Sequence, residues 1–169
     1  MTVLKRSLIL GIALLICSLI LGGCKQTDPD IAVVITLSNI TEEEYKQIND
    51  NNKPEGATIN DLKKLYVDVK LTNSKSATER MIKIPDLFII DRYDRVRTTS
   101  GGRSELNNTG TDDTAKSTAQ VIFDSKGLSE QKLRDIYGDS EIYIAYKMKN
   151  RDLVEKRVSI GDNLRIAND

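Results

Sequence analysis

From residue 65 the chain alternates: Leu65, Val67, Val69 and Leu71 fall on one side of an extended backbone, and Tyr66, Asp68, Lys70 and Thr72 on the other. Side chains of a strand point to opposite faces in turn, so this stretch reads as a half-buried antiparallel strand. The same period returns at Ala119, Val121 and Phe123. It returns again from Glu141 to Lys147, where Ile142, Ile144 and Tyr146 oppose Tyr143 and Ala145. Ile31 to Leu37 is rich in β-branched residues and apolar on both sides, which predicts a buried strand. Arg80 to Ile84 and Leu87 to Asp91 predict two more, separated by Pro85, which has no amide to give a ladder. Val96 to Thr98 is placed to pair back after a turn at Arg92-Tyr93-Asp94-Arg95. Asn150-Arg151-Asp152 turns the chain into Leu153 to Ile160, the last arm of a hairpin. Some seven short strands with turn signals between them predict an all-β sandwich.

Between the strands lie two short helices. Thr41 and Glu44 form a capping box ahead of Glu42 to Ile48, and Ser129 caps Glu130 to Tyr137, with Leu128 and Leu133 placed as a staple. Thr58 is placed to cap a helical turn from Ile59 to Lys64. The run Asp50-Asn51-Asn52-Lys53-Pro54-Glu55-Gly56 has a calcium loop's residue types but not its spacing, so a turn is expected there. Thr99 to Ser117 is polar except for Leu106 and predicts a mobile loop; Asp112 and Asp113 within it are placed to keep it soluble or to hold a divalent ion weakly. Gly161 to Asp169 reads as a loosely held tail.

The inventory also narrows the chemistry. There is no histidine, so a Ser-His-Asp or Cys-His nucleophile, a histidine-bearing zinc site and a histidine pH switch are unavailable. Formal net charge is zero, which argues against a general nucleic-acid binder. Of the two cysteines, Cys17 lies inside an apolar run from Leu8 to Ile20 that follows Lys5 and Arg6, and Cys24 ends Leu21-Gly22-Gly23-Cys24. That order resembles the lipobox of bacterial lipoproteins. The resemblance implies cleavage after Gly23, a diacylglycerol on the sulfur of Cys24, and residence on the extracytoplasmic face of the cell membrane. Residues 1–23 are then the signal peptide and 24–30 the lipidated cysteine and tether, with the sandwich over 31–162 and the tail over 163–169. The apolar run falls short of the ~20 residues of a bilayer span. With Cys17 removed and Cys24 alkylated, no disulfide, metal or cofactor is expected, and a domain of roughly 145 residues must rely on its core. At no more than ~3.6 Å per residue, the tether keeps the domain within roughly 20 Å of the headgroups.

A second resemblance rests on the run from Tyr66 to Asn73, on Ile84-Pro85-Asp86-Leu87-Phe88-Ile89-Ile90-Asp91, and on Ala119 to Phe123 and Ile142 to Tyr146. These are similar to the immunoglobulin-like domains of bacterial lipoproteins of unknown function. The likeness implies an immunoglobulin-like antiparallel β-sandwich, residues 38–64 being an enlarged insertion. It donates no catalytic residue.

Candidate sites are therefore sites of recognition. Arg92, Arg95, Arg97 and Arg103 cluster around Tyr93, either as a site for anionic polymer or lipid headgroups or as a solvated hairpin of locally paired charge. Tyr66 and Tyr143 fall opposite the core positions, where tyrosine can meet a sugar ring or a protein, or simply pack against neighbouring segments. Ser129-Glu130-Gln131-Lys132 matches S-x-x-K but lacks its companion motifs, and Ser129 is already a helix cap. The expected function is a non-enzymatic binding or protein-interaction module whose partner is another envelope protein. The alternative is capture of a solute or wall polymer.

Overall fold

The computed structural model describes residues 28–108, 112–149 and 152–167. Residues 1–23, expected to be a signal peptide, and Cys24 lie outside the described residues. Strands β1 (Asp30–Asn39), β2 (Leu62–Thr72), β3 (Ala77–Lys83), β4 (Thr98–Leu106), β5 (Ala115–Asp124), β6 (Glu141–Met148), β7 (Leu153–Ser159) and β8 (Arg165–Ile166) form two sheets. One runs β4-β5-β2-β1-β8 and the other β3-β6-β7. Every pairing is antiparallel except β1 with β8. The alternation sets the two faces: Leu65, Val67, Val69 and Leu71 are buried on β2, and they share one core with Val121 and Phe123 of β5 and with Ile82, Ile142 and Ile144 of the other sheet.

Helix α1 (Glu42–Gln47) carries the capping box, with Thr41 Oγ1 accepting from the Glu44 amide at 3.2 Å and Glu44 Oε2 accepting from the Thr41 amide at 2.9 Å. A 3₁₀ turn follows at Ile59–Asp61. Together with Ile40, Ile48 and Leu62, this insertion covers Ile122 on the outside of the larger sheet. Helix α2 (Glu130–Ile136) is capped by Ser129 and packs Leu133 into the main core.

The chain departs from the sequence expectations in five places. The helical turn expected over Ile59 to Lys64 stops at Asp61, because Leu62 to Lys64 are already paired with β5 as the start of β2. Leu87–Arg92 is a 3₁₀ helix, not a strand: Pro85 ends β3, Asp86 Oδ1 accepts from the Phe88 amide at 3.0 Å, and Leu87 and Ile90, one turn apart, are the residues buried. The polar stretch after Thr98 is not a loop throughout, because β4 runs to Leu106 along the edge of β5. β1 is not buried on both sides, since Val34 is 46% exposed. Of the tail predicted from residue 163, the described residues to Ala167 are docked, with Leu164 in the core and the Ala167 amide bonded to the Leu37 carbonyl at 2.9 Å.

Candidate functional site: a cleft on the three-stranded sheet

The outer face of the β3-β6-β7 sheet carries the side chains that the core rejects. Register places Lys83 across from Tyr143 and Tyr143 across from Arg157, with Met81 across from Ala145 and Ala145 across from Glu155 in the next row. At the end of β3 the 3₁₀ helix turns Leu87 and Ile90 inward, which leaves Ile89 and Arg92 beside the sheet. The result is an open cleft of about 630 Å³, lined by Met81, Lys83, Ile89, Arg92, Tyr143 and Arg157, with Asp86, Asp139 and Glu141 among its remaining walls. Met81 is 51% exposed on the described chain.

The charges here differ in how far they are engaged. The Arg157 guanidinium lies 5.3 Å from the centre of the Tyr143 ring and 3.2 Å from Glu141 Oε2. The Tyr143 hydroxyl donates to Glu155, and that bond to a carboxylate, helped by partial burial, raises the phenol's pKa. The Lys83 ammonium and the Arg92 guanidinium make no ion pair or hydrogen bond with any described residue. The cleft thus combines a rigid tyrosine platform, an exposed thioether and two uncommitted cations. Such a surface offers apolar contact area and positive charge to a ligand, with Ser140 also among its walls.

Of the candidates read from the sequence, Arg92 and Tyr143 meet in this cleft. Tyr66 stands on the outer face of the other sheet, its hydroxyl 3.4 Å from Asp68 Oδ2, and a Lys116–Asp68 pair at 3.0 Å raises that lysine's pKa. Tyr93 lies under the Lys132 ammonium, 4.6 Å from the ring centre. Arg95 pairs with Asp124 Oδ2 at 2.6 Å. Arg97 is buried, and its guanidinium grips both carboxylate oxygens of Asp94 and the carbonyls of Asp124 and Lys126. Arg103 donates to the carbonyls of Ile84 and Pro85 beside a second hollow, of about 470 Å³, where Phe88 leans on Gly101.

Sequence reasoning missed Met81, Lys83, Ile89 and Arg157. Alternation puts Met81 and Lys83 on an outward face once β3 is known, but only the register between strands brings them to Tyr143 and Arg157. The serine of the S-x-x-K motif accepts the Lys132 amide at 3.2 Å while the lysine head sits on Tyr93, so the two are not poised as nucleophile and base. Among the described residues no cluster of three or more acidic or thiol groups could hold a metal, and no helix is long and apolar enough to cross a membrane.

In comparisons with known protein families, curated proteins and solved structures, nothing matches this chain. Fold and site together define an all-β, two-sheet domain with an open cleft of mixed apolar and cationic character on its smaller sheet.

Proposed function

We propose that this chain is a lipid-anchored lipoprotein of the bacterial cell envelope, whose immunoglobulin-like sandwich binds another envelope protein through the cleft on the β3-β6-β7 sheet. The observation that carries the binding role is the cleft itself, in which Tyr143 and Met81 supply contact area next to the unpaired Lys83 and Arg92. Tyrosine, methionine and arginine are the residues enriched at the centres of protein interfaces. The cleft is open and shallow, which suits a protruding side chain of a protein better than a small solute that must be largely enclosed.

The immunoglobulin-like reading is supported by strand order. Lettered in chain order from A, the larger sheet runs D-E-B-A and the smaller C-F-G, the arrangement of constant-type immunoglobulin sandwiches, with β8 added beside the first strand. Support for the anchor is the residue order around Leu21-Gly22-Gly23-Cys24, with the first strand beginning at Asp30.

Two measurements test the reading. Palmitate labelling of the protein in its host is expected to be lost in Cys24→Ala, with the protein released to the soluble fraction; labelling that persists would remove the anchor. A photo-crosslinker at Lys83 or Arg92 is expected to capture a specific protein in whole cells, while one at Lys70 on the other sheet does not, and Tyr143→Ala should weaken that capture about tenfold. Equal capture at all three positions, or none, refutes the cleft as the docking site. Capture of an anionic wall polymer is the second reading, favoured by the uncommitted charges of Lys83 and Arg92. It predicts retention on purified cell wall that falls steeply with salt.

A further inference from the structure

β7 is the last strand of its sheet, paired with β6 on one side and with no described strand on the other. Asn163 Nδ2 takes up the Ser159 carbonyl at 2.9 Å, which closes that end and leaves Leu153 to Val158 as the open edge. Leu153 is 47% and Val154 40% exposed, and Glu155, Lys156 and Arg157 are exposed as well. An unpaired edge of this length is a template for another strand.

The order of side chains selects the occupant. Val154-Glu155-Lys156-Arg157-Val158 reads the same in both directions with the charge reversed about Lys156. In an antiparallel pair, residues directly opposite share a face. Two copies related by a two-fold axis through Lys156 therefore set Glu155 against Arg157 twice on the outer face, and Val154 against Val158 twice on the inner one. Lys156 lies on that inner face too, across from Ile144, so the single unfavourable contact is Lys156 with itself between the two valine pairs; its side chain is exposed, and its long stem lets the two ammonium groups diverge into water.

Neighbouring registers lack this match. Centring the axis on Glu155 or on Arg157 brings that residue against its own copy and loses both opposite-charge pairs. The required groups are also available: Glu155 Oε1 accepts from the Tyr143 hydroxyl, leaving Oε2, and Arg157 Nη1 donates to Glu141, leaving Nη2. Edge charges also blunt indiscriminate pairing. Here their spacing permits one pairing in particular.

We propose that the protein forms a two-fold dimer in which β7 of one copy adds to β7 of a second, joining the two smaller sheets in the order β3-β6-β7-β7-β6-β3. Because the axis runs normal to the sheet, both outer faces point the same way, and the clefts of the two copies open side by side. Symmetry also holds the two Asp30 tether points at one height along the axis, as two copies anchored in one membrane require. The dimer does not depend on what the cleft binds.

The test uses the full-length chain in detergent. Lys156→Cys sets one sulfur opposite its own copy, at the Cα separation of about 4.5–5.5 Å that a disulfide spans. Mild oxidation is expected to link this variant into dimers while Lys70→Cys, which carries the same native cysteines, stays monomeric. In sedimentation of the reduced proteins, Arg157→Glu should weaken the dimer about tenfold, and the swap Glu155→Arg with Arg157→Glu should restore it. A wild-type chain that sediments only as monomer overturns the proposal. So does equal cross-linking at positions 156 and 70, or a double swap no better than the single one.

Discussion

Arg97 shows how the basic cluster is spent. It is 3% exposed, and a guanidinium so placed is tolerable only when its donors are occupied. They are: Nε and Nη2 reach the two oxygens of Asp94 at 2.7 and 2.6 Å, and Nη1 reaches the Asp124 and Lys126 carbonyls at 2.8 and 3.1 Å. Asp91 holds the backbone on either side, its Oδ1 accepting from the amides of Arg97 and Thr98. The fork therefore ties the turn before β4 to the end of β5. Arg97→Met fills a similar volume but leaves two carbonyls without donors, and it should cost roughly 3 kcal/mol in urea unfolding at pH 7. A second readout follows from Asp94. The hydrogen bond from Arg97 is the main influence holding its carboxyl below the ordinary value of 3.8, against an opposing push from desolvation. A lowered native pKa contributes stability that is complete above the unfolded value and is lost as pH falls through the native one. The wild type should lose this contribution below about pH 4, and Arg97→Met should lose less on acidification. Equal acid sensitivity in the two proteins would show that the pair does not govern that limb.

Between elements, what could be read from the sequence depended on whether local pattern or tertiary placement decided the outcome. β2 from Leu65 onward and β6 each bury one face more deeply than the other, so alternation located them, as residue type alone located the caps of Thr41 and Ser129. β4 gave no such signal. It is an edge strand exposed on both sides beyond Thr99, and Gly101, Gly102 and Ser104 are extended by the ladder to β5, not by their own propensity. Leu87 to Asp91 misled in the opposite direction, because an apolar run of that length is equally a strand or a short buried helix until Pro85 and the Asp86 cap decide it. Gly161 is a third case, in which the constraint is invisible locally. A Cβ there would lie 2.1 Å from the Arg134 carbonyl oxygen and 2.8 Å from the Gly138 nitrogen, both backbone atoms at the end of α2. The return from β7 crosses α2 where no side chain fits. Gly161→Ala must push the two segments apart, and it should lower stability by roughly 3 kcal/mol by chemical denaturation. A loss near zero would mean that this crossing yields freely.

Across the whole molecule, the same non-local logic assembles both the cleft and the closure of the sandwich. Met81, Tyr143 and Arg157 come from three strands, and no local pattern states that they are neighbours, although each is individually marked as outward-facing. The C-terminal segment is the counterpart in the core. Gly161 to Asp169 reads as a tail because it is short and polar, yet Leu164 is 3% exposed against the main core and Arg165 and Ile166 pair with Thr36 and Leu37 of β1. That pairing also covers part of the free edge of the larger sheet, and it returns the chain to the strand on which it began. No disulfide constrains the described residues, so burial has to hold this end in place. Truncation after Asn163 removes Leu164 from the core along with the two-residue ladder, and the expected cost is roughly 3 kcal/mol, or a fall in Tm of about 10 °C. Leu164→Ala in the intact chain should reproduce most of that loss if the buried side chain dominates, whereas β8 dominates if Leu164→Ala is mild and only truncation is severe. A truncated protein that melts with the full chain would show that the sandwich closes without its last segment, and would return residues 163–169 to the status of a tail.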